Sequence, residues 1–142
     1  MDQTLSLYNE LNQRGAHFYL WDLGEDSAAT IELGGRYGIF MDFDNIPTSA
    51  DELVVVAHEG GHVSTGATHA VSSPFDLIAK HEYKADKWAV QRLITAQALD
   101  EAVAEGCTDL HALAERFNVT EDFMKKAVCL HTHGNLSAEL YF

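Results

Sequence analysis

Two histidines four positions apart with a glutamate between them, His58-Glu59-Gly60-Gly61-His62, carry the clearest chemistry in this 142-residue chain. Residues four apart share one face of an α-helix, so both imidazoles can direct a nitrogen at one metal ion. Glu59 stands about 100° round the same helix and reaches a water beside the metal rather than the metal. A zinc ion lowers the pKa of such a water towards about 7, and Glu59 would take its proton as it attacks a peptide carbonyl. A random chain with these counts of His and Glu contains an HExxH about three times in a hundred, so the motif needs support from a third ligand. Catalytic zinc sites use three protein ligands and keep the fourth position open.

Glu82 supplies that ligand, within His81-Glu82-Tyr83-Lys84-Ala85-Asp86. Asp86 is one helical turn further on the same face and suits an acceptor for the free ring N–H of a ligand histidine, with His58 the expected partner. Glu105 and Asp109 have the same spacing, but Gly106 should break the helix between them. His69 competes differently. HEGGHVSTGATH is similar to the metzincin pattern HExxHxxGxxH but has one extra residue before Gly66, so His69 is expected near the metal as a group that polarises a substrate carbonyl. His81 is expected on the surface, and His131 and His133 in a frayed C-terminal tail.

Specific elements must hold these residues. Ser49 and Glu52 have the form of a capping box before Leu53-Val54-Val55-Val56-Ala57, which predicts a buried helix over about 50–65 that carries the motif. Gly60 and Gly61 lie inside it at a cost of about 1 kcal/mol each relative to Ala, which calls for a close approach of the sheet or of a substrate. Ser73 as N-cap and Pro74 at the first position open a second long helix through Ile78, Tyr83, Trp88 and Leu93, the one that bears Glu82 and Asp86. Residues 3–13 have the spacing of a short amphipathic helix, and further helices are expected over 96–105, 109–117 and 121–131. Segments 16–22, 28–33 and 37–43 are rich in aromatic and β-branched residues and are punctuated by Gly24 and Gly34-Gly35, as in a small antiparallel sheet. The order predicts an α+β fold: a small antiparallel sheet packed on a helical core, with additional C-terminal helices.

Composition narrows the function. Nine basic against 22 acidic residues give a formal net charge of −13. That charge disfavours phosphate-directed binding to nucleic acid and binding to anionic membranes. LHALAERFNVTEDFMKKAV has the outline of a helix-turn-helix but lacks a basic footprint, so packing or protein docking is its expected role. The N-terminus does not read as a signal peptide, no apolar run approaches the roughly 18 residues of a membrane span, and two cysteines suit free thiols in a reducing cytoplasm.

His58, Glu59, Gly61 and His62, followed by Glu82, Ala85, Asp86, Trp88 and Ala89, make the chain resemble the ImmA/IrrE metallo-endopeptidases, most closely the short phage and prophage members. The resemblance implies a single gluzincin-like, zincin-type domain over residues 1–142, with Zn2+ held by His58, His62 and Glu82, Glu59 as catalytic base and Asp86 behind a ligand. It also implies a regulatory hydrolase that cleaves a protein, typically a helix-turn-helix repressor of a phage or mobile element. Gly60, Lys84 and Thr95 depart from the family pattern without touching these residues. In similar enzymes a sheet edge holds the substrate as an added strand; Tyr37–Phe43 is the candidate edge, with an ordinary core strand of no substrate role as the equal alternative. The alternative is a non-catalytic zinc-bound interaction module, in which His69 closes the site as a fourth ligand.

Overall fold

A computed structural model describes residues 2–68 and 75–137. The chain runs α1 (Gln3–Gln13), β1 (Ala16–Leu20), β2 (Ala28–Leu33), β3 (Arg36–Met41), α2 (Ser49–Thr65), α3 (Phe75–Leu93), α4 (Ala96–Ala104), α5 (Leu110–Phe117) and α6 (Glu121–His133), with a 3-10 turn at Phe43–Asn45 before α2. This is the expected α+β architecture.

The sheet has the order β1-β3-β2 and is mixed rather than wholly antiparallel. β2 and β3 form an antiparallel hairpin that closes at Gly34 and Gly35, both at positive φ, where residues with a Cβ are strained. β1 pairs with β3 in parallel, Ala16 opposite Tyr37. The segment between β1 and β2 reverses the chain and skips one strand position, which β3 then fills. Asp42 ties down this crossing: its buried carboxylate accepts from the Leu23 N–H (2.9 Å) and from Asn45 Nδ2 (3.2 Å). Asn45 Nδ2 also donates to the carbonyls of Gly24 and Asp26, at 2.9 Å each. β3 is therefore the central strand and not an edge, so of the two readings of Tyr37–Phe43 the core strand holds and the substrate edge does not. Of the two edges, β2 is the one that packs against α2.

The two sheet faces differ. Ala16, Ile39 and Met41 turn inward and are buried with Leu7 and Leu11 of α1. On the opposite face Phe40 stacks on Tyr19 (ring centroids 5.3 Å apart) and lies 4.6 Å from Trp21. With Ile31 and Leu33 these rings line an open trough of about 520 Å³ on the solvent side.

α2 starts one residue earlier than the capping-box reading. Thr48, not Ser49, is the N-cap and accepts from the Asp51 N–H (3.1 Å). Glu52 instead accepts from the Tyr8 hydroxyl (2.7 Å), joining α1 to α2. Leu53, Val56, Ala57 and Val63 bury one side of the helix, and Gly66 ends it in the left-handed region at φ 67°. The mid-helix glycines are explained by neighbouring helices, not by the sheet or a substrate. A Cβ on Gly61 would stand 2.4 Å from the Ala85 carbonyl oxygen of α3, and one on Gly60 would meet Leu11 of α1 at 2.8 Å. α2 and α3 thus pack almost backbone to backbone at the HExxH segment.

The expected cap of α3 at Ser73-Pro74 lies outside the described residues. Thr95 and Thr120 cap α4 and α6. α6 lays Phe123, Met124 and Ala127 into the core and packs on α3 and α5. Its last turns are not a frayed tail: the His131 ring donates to the Ile94 carbonyl (2.6 Å). No helix among the described residues is long and apolar enough to cross a membrane.

Candidate metal centre

The helical spacing brings His58 and His62 one above the other on α2, their rings 4.9 Å apart and nearly perpendicular. The α2–α3 contact at Gly61 and Ala85 then sets Glu82 and Asp86 opposite them. His58 Nε2 lies 2.7 Å from Glu82 Oε2, and His62 Nε2 lies 3.1 Å from Glu82 Oε1. One donor atom from each of His58, His62 and Glu82 falls within 4.8 Å of the others, so the three residues could hold one metal ion.

The far nitrogens of both rings are engaged. His58 Nδ1 is 2.7 Å from Asp86 Oδ1, and His62 Nδ1 is 2.6 Å from the carbonyl oxygen of Ala67 just beyond the end of α2. Each acceptor requires a proton on Nδ1, which leaves the lone pair of a neutral ring on Nε2, facing Glu82. Two neutral imidazoles and a carboxylate are a donor set that suits zinc and other borderline divalent metals.

Glu59 is buried on the adjacent side of α2, its Oε2 3.9 Å from His58 Nε2. Its Oε1 accepts from the Thr30 hydroxyl of β2 (3.1 Å). Asp86 Oδ2 pairs with Lys126 Nζ of α6 (3.1 Å). Three carboxylates and one ammonium leave a charge of −2 around two neutral rings, which one divalent cation balances.

In the metal-free state protons take up part of that role. Burial lowers the pKa of His58, but hydrogen bonds to Asp86 and Glu82 and the charges of Glu59 and Asp86 outweigh it and push the imidazole up to about 10. His62 is raised for similar reasons: burial opposes, and the bonds to Glu82 and to the Ala67 carbonyl prevail. The hydrogen bonds from His58 and His62 hold Glu82 far below the usual carboxylate range. Burial raises the Asp86 carboxyl, yet the bond to His58 and its charge, with the charge and bond of Lys126, hold it below its ordinary value. Glu59 moves the other way, pushed up chiefly by burial against the pull of His58, His62 and Thr30. A buried carboxyl of raised pKa beside a cation site is equipped to accept a proton.

His69 lies outside the described residues. His81 is half-buried rather than on the surface. Thr30, Lys126 and the Ala67 carbonyl join the site from outside both motifs. Thr30 leaves a faint signal, a polar residue on the inward side of a strand; a lysine on an amphipathic helix leaves none.

Two cavities open on this group. One of about 520 Å³ runs along β2, lined by Ala28 to Ile31 together with His58, Glu59, His62 and Glu82. The other, of about 330 Å³, lies between α2 and α6, with Val54, Val55 and Phe123 among its walls and Lys126 beside it.

A two-histidine, one-carboxylate group on a tightly packed helix pair is one of the metal-holding arrangements that metallopeptidases use. The chain belongs to a peptidase family, that of the IrrE N-terminal-like domain, whose model matches residues 44–128 and so includes α2, α3 and most of α6. No curated protein and no solved structure gives a significant match.

Proposed function

We propose that this protein is a zinc-dependent endopeptidase in which His58, His62 and Glu82 hold the metal and Glu59 is the general base. The observation that carries the reading is the convergence of both Nε2 atoms and the Glu82 carboxylate within 4.8 Å, on a chain that belongs to a peptidase family. Zinc bound there would supply Lewis-acid polarisation of a peptide carbonyl and of the attacking water. Glu59 takes the proton of that water as its oxygen adds to the carbonyl carbon, then passes the proton to the departing amine as the C–N bond breaks. Thr30 aims the Glu59 carboxylate by donating to Oε1. Asp86 and the Ala67 carbonyl keep the two ligand rings in the tautomer that presents Nε2.

β2 is an edge strand beside the site, and its neighbouring cavity has room for an extended peptide. An added substrate strand on β2 would run past Glu59 and the metal ligands, with main-chain hydrogen bonds supplying much of the affinity. The motif resemblance supports a helix-turn-helix repressor as substrate.

The test is Glu59→Gln. The variant should retain one zinc per chain and lose peptide-bond cleavage of a repressor encoded beside the gene. Cleavage by zinc-loaded Glu59→Gln would remove Glu59 from the mechanism. A parent protein that takes up no metal after chelation and zinc reloading would overturn the reading altogether.

A further inference from the structure

Lys126 stands outside both metal motifs, on the last helix, and still reaches the site. Its Nζ lies 3.1 Å from Asp86 Oδ2, while the other oxygen of that carboxylate lies 2.7 Å from His58 Nδ1. One aspartate therefore bridges α6 to α2. We infer that Lys126 is a positioning residue for the metal: it fixes the Asp86 carboxylate, which in turn fixes the His58 ring with Nε2 towards the metal. This rests on the zinc reading above.

The physical case has three parts. An aspartate held at one oxygen alone can rotate about its terminal torsion and exchange oxygens, and a second partner on a different element removes that freedom. Asp86 is 21% exposed at its side chain, so the ammonium replaces part of the hydration that Oδ2 loses on folding. The ammonium also comes from a well-anchored place, because the neighbouring Phe123, Met124 and Ala127 of α6 are buried in the core. Lys126 further closes the charge balance. With it, three carboxylates and a divalent cation sum to zero; without it, the site carries one uncompensated negative charge.

The test measures zinc affinity by competition with a chromophoric chelator and the visible spectrum of the Co2+-substituted protein. Parent, Lys126→Met, Lys126→Gln and Lys126→Arg are compared, with Lys125→Met as a variant that removes the same charge from the adjacent position. Lys126→Met and Lys126→Gln should bind zinc about tenfold more weakly and shift the cobalt bands, the low end for groups behind a ligand. Lys126→Arg should restore most of the affinity and the parental spectrum, and Lys125→Met should keep the parental cobalt spectrum. Thermal melts of the metal-free variants identify any that fail to fold, in which case the other neutral variant and the arginine variant decide. Folded neutral variants with parental affinity and an unchanged cobalt spectrum would overturn the inference and leave the zinc reading intact. A parent that binds no zinc would overturn both.

Discussion

Glu82 Oε2 lies 2.7 Å from His58 Nε2 and Asp86 Oδ1 lies 2.7 Å from Nδ1 of the same ring, so two carboxylates from one helix grip opposite edges of a single imidazole. The four-residue interval between Glu82 and Asp86 makes this possible, since it sets both acids on one face of α3 at about one ring's width. On the zinc reading proposed above, Glu82 would leave His58 to serve as a ligand while Asp86 would keep its bond.

Removal of Asp86 therefore separates positioning from ligation. Asp86→Ala should weaken zinc binding by about 10- to 100-fold while the remaining ligands still take up the metal. Chelator competition measures the loss, and an unchanged dissociation constant would exclude Asp86 from the support of His58.

Gly61 makes a stronger demand than Gly60. A methyl group at Gly61 would collide with the Ala85 backbone, which cannot swing aside, whereas at Gly60 it meets the flexible end of Leu11. Gly61→Ala gains helix propensity of about 1 kcal/mol. Overpacking should still make it destabilising by about 1–3 kcal/mol, and it should weaken metal binding by spreading α2 from α3. Gly60→Ala should be milder on both counts. Denaturant melts and zinc titration of the two variants check the order.

In the proposed mechanism Thr30 serves the base, Glu59, and not the metal. Thr30→Val preserves the shape of the β-branched side chain and deletes the hydrogen bond to Glu59. Turnover should fall by about tenfold through misdirection of the general base, with zinc affinity unchanged. Parallel measurement of kcat and metal content distinguishes this from a general loss of structure.

The pH dependence follows from His58. Its folded pKa near 10 in the metal-free protein lies above the ordinary value of 6.5, so proton binding stabilises the metal-free fold fully below about pH 6.5 and this contribution is lost as pH rises through 10. Metal requires the neutral ring, so zinc uptake at pH 7 must expel the His58 proton, and apparent zinc affinity should rise with pH until His58 is neutral. Calorimetric titrations in buffers of different ionisation enthalpy should report at least one proton released per zinc at pH 7. Zero release would contradict the charged state of His58.

The readable part of this site was the part made by local geometry. His58, Glu59 and His62 are related by a single helical turn, and Glu82 and Asp86 by another, so their relative directions follow from 3.6 residues per turn. Thr48 and Ser49 are both competent N-caps of α2, and the choice of Thr48 lies in backbone geometry just after Pro47, which residue type does not reveal. The pairing of β1 with β3 was out of reach for a different reason. It depends on a loop that skips a strand, held by Asp42 and Asn45, and neither residue type announces that role. Likewise Thr30 and Lys126 reach the site across 29 and 40 residues of sequence, and spacing within one element says nothing about such contacts.

The bare aromatic face of the sheet has a colloidal consequence. Tyr19, Trp21, Ile31 and Leu33 offer water an adhesive surface, on a molecule whose formal charge of −13 holds copies apart at neutral pH. That mutual repulsion vanishes near the isoelectric point of about 4.8 and is screened within about 8 Å at physiological ionic strength. The acidic surface thus serves as the dispersant for a face that the described residues leave uncovered, and turbidity should rise as the pH falls towards about 4.8.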